Sequence, residues 1–164
     1  MELIPKRAAE SATEMVQVVL PNDANPLGFI LGGTVMHLID IAGAIACHRH
    51  TRTLLVTAAV DDLQFLHSIK VGDLIILKAH VTCAFTTSLE VQVDVFSEET
   101  LTGIRQLTSR AFLTFVAIDR RGKPVAVPPV LPETPDEKRR HEEALRRREL
   151  RLRHRRSEGR RGTL

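Results

Sequence analysis

The sequence predicts an α+β fold in which a curved antiparallel sheet wraps around one long central helix. Three observations predict it. The segment from Gly33 to His50 is long enough for a helix and apolar nearly all round, so it belongs inside the molecule. The segments after it read as strands joined by short turns, which favours antiparallel neighbours. With 164 residues, 43% of them hydrophobic, the chain has material for one ordinary domain with a sizeable core.

Met15–Leu20 (MVQVVL) alternates as a first strand. PNDANPLG then supplies two prolines, two asparagines and a glycine, the chemistry of a loop. The helix starts near Gly33 and runs for about four turns, with Val35, Met36, Leu38, Ile39, Ile41, Ala42 and Ile45 around its axis. Leu54–Phe65 is the next strand, and Ser68–Asp73 turns at Gly72. Leu74–Phe85 carries Leu77, Ala79, Val81 and Cys83 on one face and Lys78, His80 and Thr82 on the other. In Ser88–Phe96, Leu89, Val91, Val93 and Val95 alternate with Glu90, Gln92 and Asp94. Glu98–Gly103 turns the chain into a long last strand, Gln106–Asp119, and the four prolines of VAVPPVLPETP end the domain. A curved sheet covers the helix, but its free edge needs a partner, so a dimer or larger assembly is expected.

The net charge of +3 hides an asymmetry: residues 133–164 hold 12 basic and 7 acidic side chains, the rest of the chain 11 and 13. Three regions follow: an N-terminal arm (1–12), the domain (13–132) and a basic C-terminal tail (133–164), helical or disordered. Residues 136–156 lack Gly and Pro, but Ala144, Leu145, Leu150 and Leu152 are too few for a folding stripe. A solvated helix or disordered arm is therefore expected, whose removal leaves the chemistry of the body largely unchanged. An electrostatic arm for RNA, an acidic protein or a phosphorylated ligand is the alternative. The absence of Trp and Tyr argues against a base-stacking platform, so nucleic acid is not expected as a partner.

No apolar run approaches the ~20 residues of a membrane span, and the N-terminus lacks a signal-peptide run. Cys47 and Cys83 form neither a disulfide framework nor a zinc pattern, which fits a reducing, cytoplasmic setting. His48 and His50 point to different faces of the helix, so no metal site is expected. GxSxG, P-loop and GxGxxG motifs are missing, which removes the usual serine hydrolase, NTPase and dinucleotide readings.

Asp40 is the most informative residue. It is the only carboxylate between Gly32 and His50 and sits among Ile39, Ile41 and Ala42. A carboxylate in such surroundings must be partnered, protonated or at a cavity. A hydrogen bond to His37 one turn earlier is the structural explanation; a catalytic carboxylate facing a cleft is the functional one. Gly32 and Gly33 open the same helix, where unpaired amides at the positive end of the dipole make the elements of an oxyanion hole. Asn25, in the Pro-flanked loop, has an amide able to hold a carbonyl oxygen or water. Gly32 and Asp40 lie ~12 Å apart along the axis, too far to act on one carbonyl within one straight helix.

Taken together, Asn25, LGGTVMHLIDIAGAIA, FLHSIKVGD, TTSLEVQVDV, LTSRAFLTFVAID and the closing VPPV resemble the hotdog-fold acyl-CoA thioesterases, in the brain-type and bacterial broad-range acyl-CoA hydrolase branch. The resemblance spans about residues 13–132. It implies a hydrolase of acyl-CoA thioesters in lipid metabolism, with coenzyme A as part of substrate and product and no other cofactor. It implies a homodimer with a continuous sheet, commonly a trimer of dimers, hence a homohexamer. The active site then lies at the dimer interface, where Asp40 of one protomer, as general base or nucleophile, works with Asn25 and the Gly32 and Gly33 amides of the other. Thr57, Thr87, Ser88 and Arg110 are the substrate-binding candidates, with Lys123 or the basic tail as further contacts for the CoA phosphates. A non-catalytic acyl-CoA sensor with a nucleic-acid-contacting tail is the alternative function.

Overall fold

The structure, a computed structural model, describes residues 3–161. In chain order the elements are β1 (Lys6–Arg7), a 3-10 turn over Ala8–Ser11, β2 (Thr13–Val18), α1 (Gly32–Thr51), β3 (Leu54–Phe65), β4 (Leu74–Ala84), β5 (Ser88–Glu98), β6 (Arg105–Ile118), β7 (Val130–Leu131) and α2 (Pro135–Arg161). Five strands form one antiparallel sheet in the order β2-β4-β5-β6-β3, so β2 and β3 are its edges. The fold is α+β, with the sheet wrapped around α1.

Strand alternation sends Ile75, Leu77, Ala79 and Val81 of β4, Leu89, Val91, Val93 and Val95 of β5, and Ala111, Leu113, Phe115 and Ala117 of β6 to the inner face. There they bury Val35, Leu38, Ile39, Ala42, Ala46 and Cys47 of α1. Gly43 marks the closest approach, since a Cβ there would lie 3.1 Å from the Phe115 ring and from Val91 Cγ1. Burial pushes the Cys47 thiol far up and the Cys83 thiol up to about 12, so neither is a thiolate. His50, fully buried, reaches the Pro128 carbonyl through Nε2 at 2.8 Å and pins the proline-rich segment to the helix.

The helix is longer than the four turns expected, at 20 residues, because the glycine pair is its first turn and His48–Thr51 its last. The first strand is displaced to Thr13–Val18, where it pairs with Leu74–Ala79. The N-terminal segment is tied down: β1 pairs with β7, and Ser11 Oγ accepts from Val81 N at 2.9 Å.

The tail departs furthest from expectation. Thr134, Pro135 and Glu137 start α2 with a reciprocal cap: Glu137 N donates to Thr134 Oγ1 at 3.2 Å, and Glu137 Oε2 accepts from Thr134 N at 3.0 Å. The helix then lies on the outer face of the sheet rather than in solvent. Ala144 is fully buried, and the contacts around it are made by guanidinium groups instead of an apolar stripe. Arg147 binds the Glu90 carboxylate at 2.7 and 3.1 Å and stacks 3.7 Å above the Phe112 ring. Arg148 stacks on Phe85 at 3.9 Å, and His141 donates from Nδ1 to Thr82 O at 3.1 Å. Arg140 Nη1 donates to His80 Nε2 at 2.8 Å; burial and that cation lower the imidazole pKa to about 4.

Candidate active site

Asp40 sits half-buried on α1, between the fully buried Ile39 and Ala42. Its partner is Thr57 on β3, whose Oγ1 donates to Asp40 Oδ1 at 2.7 Å. The hydrogen bond to His37, the structural alternative, is absent among the described contacts; the strand alongside supplies the donor. One carboxylate oxygen is thus fixed, and Oδ2 is left to meet water or a ligand.

A second group of candidates lies at the start of the same helix. Leu31 provides no side-chain cap, so the amides of Gly32 and Gly33 are left to solvent or a bound oxygen. A Cβ on Gly33 would meet nothing within 4 Å, while one on Gly32 would lie 3.5 Å from the Phe65 ring. Gly32 borders a cleft of about 280 Å³, also lined by Ile30, Val35, Phe65, Ile69 and Ser109. Phe65 is a residue that sequence reasoning missed; facing the helix start across the sheet edge, it has no local signature.

The Asn25 loop is tied to this helix start. Leu31 N donates to Asp23 O at 2.8 Å, and Ala24 bridges Ile30. Asn25 Oδ1 accepts from Leu27 N at 2.9 Å and Phe29 N at 3.2 Å, which folds the loop back. Its carbonyl oxygen is occupied; its side-chain NH2 remains as the donor available to a ligand. One protomer therefore presents two half-sites: Asn25, Gly32 and Gly33 at the helix start, and Asp40 with Thr57 about two turns on.

The other candidates lie apart from both. Arg110 is on the outer face, its guanidinium held by Asp94 at 2.6 and 3.0 Å. Ser88 begins β5, with Thr87 just before it, two strands from Thr57: Ser88 pairs with Val116, which pairs with Val56. The structure brings Thr57 to Asp40 and brings none of Thr87, Ser88 and Arg110 to either half-site. Lys123 lies in the turn after β6, where its backbone N donates to Asp119 Oδ1 at 2.9 Å. Among the described residues, no three His, Cys, Asp or Glu side chains cluster as a metal site, and no helix is long and apolar enough to cross a membrane.

Comparisons with known proteins bear on this geometry. Residues 27–104 match the thioesterase superfamily. An uncharacterized acyl-CoA thioester hydrolase of Bacillus subtilis is 42% identical over 138 residues, covering 84% of this chain and 80% of that protein. The solved structure of an apo hexameric acyl-CoA thioesterase is similar with a TM-score of 0.89 and 42% identity, over 93% of this chain and 97% of that one. An acyl-CoA hydrolase of Staphylococcus aureus, solved with butyryl coenzyme A, coenzyme A and coenzyme A disulfide, gives 0.87 and 36%, over 94% of each chain. Solved structures of the Staphylococcus enzyme include alanine variants of an aspartate, an asparagine and a threonine. The chain spans only 37% of the length of the mammalian cytosolic acyl coenzyme A thioester hydrolases it matches.

Proposed function

The chain belongs to the acyl-CoA thioester hydrolases of the hotdog-fold thioesterase superfamily, and from that premise we propose that it hydrolyses acyl-CoA thioesters to a carboxylic acid and free CoA at a site shared by two protomers. The observation that carries this reading is the Asp40 carboxylate, set in an apolar helix and fixed by Thr57 at 2.7 Å, with one oxygen unoccupied. The aspartate, asparagine and threonine replaced in the Staphylococcus enzyme have the same spacing as Asn25, Asp40 and Thr57 here, which supports the assignment.

The chemistry follows from the two half-sites. The thioester carbonyl docks on the Gly32 and Gly33 amides of one protomer, which stabilise the developing oxyanion. The Asn25 NH2 orients the carbonyl or the water. Asp40 of the other protomer takes a proton from that water, which attacks the carbonyl carbon; the C–S bond breaks, and the CoA thiolate leaves and is protonated. Direct attack by Asp40 is a distinct route: the carboxylate displaces the CoA thiolate to form a mixed anhydride, which water then opens, and label in the Asp40 carboxylate after single turnover in H2-18O marks this route.

Assembly completes the site. Leu54, Val56, Val60 and Phe65 of the edge strand β3 are each about half exposed, Leu54 and Val56 on one face of the unpaired edge and Val60 and Phe65 on the other. Pairing two β3 strands continues the sheet and joins the half-sites into a dimer, and three dimers give a hexamer; light scattering reads the mass. The two unpaired cysteines and the cytosolic names of the mammalian relatives support a cytoplasmic enzyme. Arg140, Arg147, Arg148 and Arg151 of the tail are engaged with the sheet, which supports the hydrolase reading over a sensor with a nucleic-acid-contacting tail.

The test is thiol release from acyl-CoA across chain lengths. Asp40→Asn is expected to lower kcat by about 10²- to 10⁴-fold with the assembly intact. Near-normal turnover by that variant overturns the assignment.

A further inference from the structure

We propose that Arg151 of α2 and Asp61 of β3 are positioning residues: the C-terminal helix sets the edge strand that carries Thr57, and through Thr57 the orientation of Asp40. The proposal rests on the thioesterase reading above. It begins with β3 itself. In the protomer this strand has one ladder neighbour, β6, and its register is broken twice, between Thr57 and Ala59 and between Asp61 and Gln64. Asp62, at the second break, has φ 47, a left-handed conformation for a non-glycine residue. Whatever pairs with its other edge in the assembly, a strand broken twice in register is held less firmly by its ladder to β6 than an unbroken one.

The first break decides what the strand touches. Residues 57 and 61 would share a face in an unbroken strand. The extra residue, Ala58, puts them on opposite faces: Thr57 stands opposite Phe115 of the core, and Asp61 opposite Phe112 beneath α2. Thr57 then holds Asp40 on the inner side. On the outer side, Arg151 Nη1 lies 3.4 Å from Asp61 Oδ2 and donates to Thr114 Oγ1 of β6.

Arg151 is itself anchored. One turn earlier, Arg147 is bound to the fully buried Glu90 in the centre of the sheet. Arg151 therefore links the edge strand, by an ion pair to Asp61, to the helix turn that Arg147 fixes on the buried centre of the sheet. The chain of contacts runs from Glu90 through Arg147 and the helix to Arg151, Asp61, β3, Thr57 and Asp40. Displacements of about 1 Å at a reacting group cost up to ~10²-fold in rate, so slack in β3 is read directly in kcat. This reverses the expectation that the tail is dispensable for hydrolysis.

The experiment uses the full chain with butyryl-CoA as substrate. Arg151→Met and Asp61→Asn are each expected to lower kcat about tenfold with KM within about twofold, and Arg151→Lys to recover most of the loss. In a Thr57→Val background, Arg151→Met is expected to cost nothing further, because the contact it acts through is already gone. Unchanged kcat, or the same fold-loss in both backgrounds, overturns the proposal and leaves Arg151 a structural residue. Amide hydrogen exchange over 56–60, measured without substrate, is expected to rise in Arg151→Met and not in Arg153→Ala. No rise also overturns it, and this reading holds whatever the wild-type activity. An unaltered chain that releases no thiol from any acyl-CoA refutes the thioesterase reading instead.

Discussion

Replacing Arg147 by methionine isolates the force that holds α2 on the sheet. Glu90 is 0% exposed, and its carboxylate has two close donors, the Arg147 guanidinium at 2.7 and 3.1 Å and the Thr82 hydroxyl at 2.7 Å. The next cation, Arg151, is 4.0 Å away. Methionine keeps the aliphatic reach over Phe112 but removes the charge, leaving a buried carboxylate with one neutral donor and a distant cation. Removing one partner of a buried pair costs about 3–5 kcal/mol, because the remaining charge loses both water and its counter-ion. For a chain of this size that lowers Tm by about 10 °C. Circular dichroism melts and urea titrations measure it. The companion Glu90→Leu/Arg147→Met removes both charges and is expected to lie within about 1 kcal/mol of the parent. A single variant melting within about 2 °C of the parent, or a double variant as unstable as the single one, refutes the argument.

Two other substitutions test packing and protonation. Gly43→Ala raises helix propensity but forces a Cβ to 3.1 Å from Phe115 and Val91, both buried, so a net loss of about 1–2 kcal/mol is expected in urea unfolding, with Val91→Ala restoring part of it. His80 takes its proton only near pH 4 when folded, against an ordinary 6.5. Below about 6.5 the unfolded chain binds a proton that the folded one refuses, so stability is full above that pH and falls as pH drops toward 4. His80→Gln is expected to flatten the urea midpoint between pH 7 and pH 5, and an unchanged slope refutes the assignment.

Much of the fold was legible because its signals are local. The alternation in Leu89–Val95 and the nearly all-round apolar surface of Val35–Ala46 each dictate an element without reference to the rest of the chain. Asp40 stood out because a lone carboxylate in such a helix demands an explanation. Its partner was harder to see: Thr57 lies 17 residues away and meets Asp40 only because β3 packs alongside α1. Glu90 shows the opposite failure. Alternation marks it as outward-facing, which it is, but outward here means beneath α2 and fully buried. Nothing in the tail announced this, since arginines at Arg147, Arg148 and Arg151 read as solvent-facing charge until a carboxylate and two aromatic rings are placed under them. Arg110 is a substrate-phosphate candidate by its segment alone; no local signal shows that its cross-strand neighbour Asp94 takes its guanidinium.

The last helix is longer than the sheet is wide. Between Arg140 above β4 and Arg151 above β3 it crosses three strand intervals, about 14 Å, in eleven residues, about 16 Å. From Leu152 to Arg161 it runs a further ~15 Å, past the boundary of its own sheet. In an assembly that extends the sheet at β3, that overhang reaches across about three strands of the adjoining subunit. Each subunit then roofs part of its neighbour, and shortening the chain after Leu152 separates what the helix does for its own protomer from what it does for the one next door.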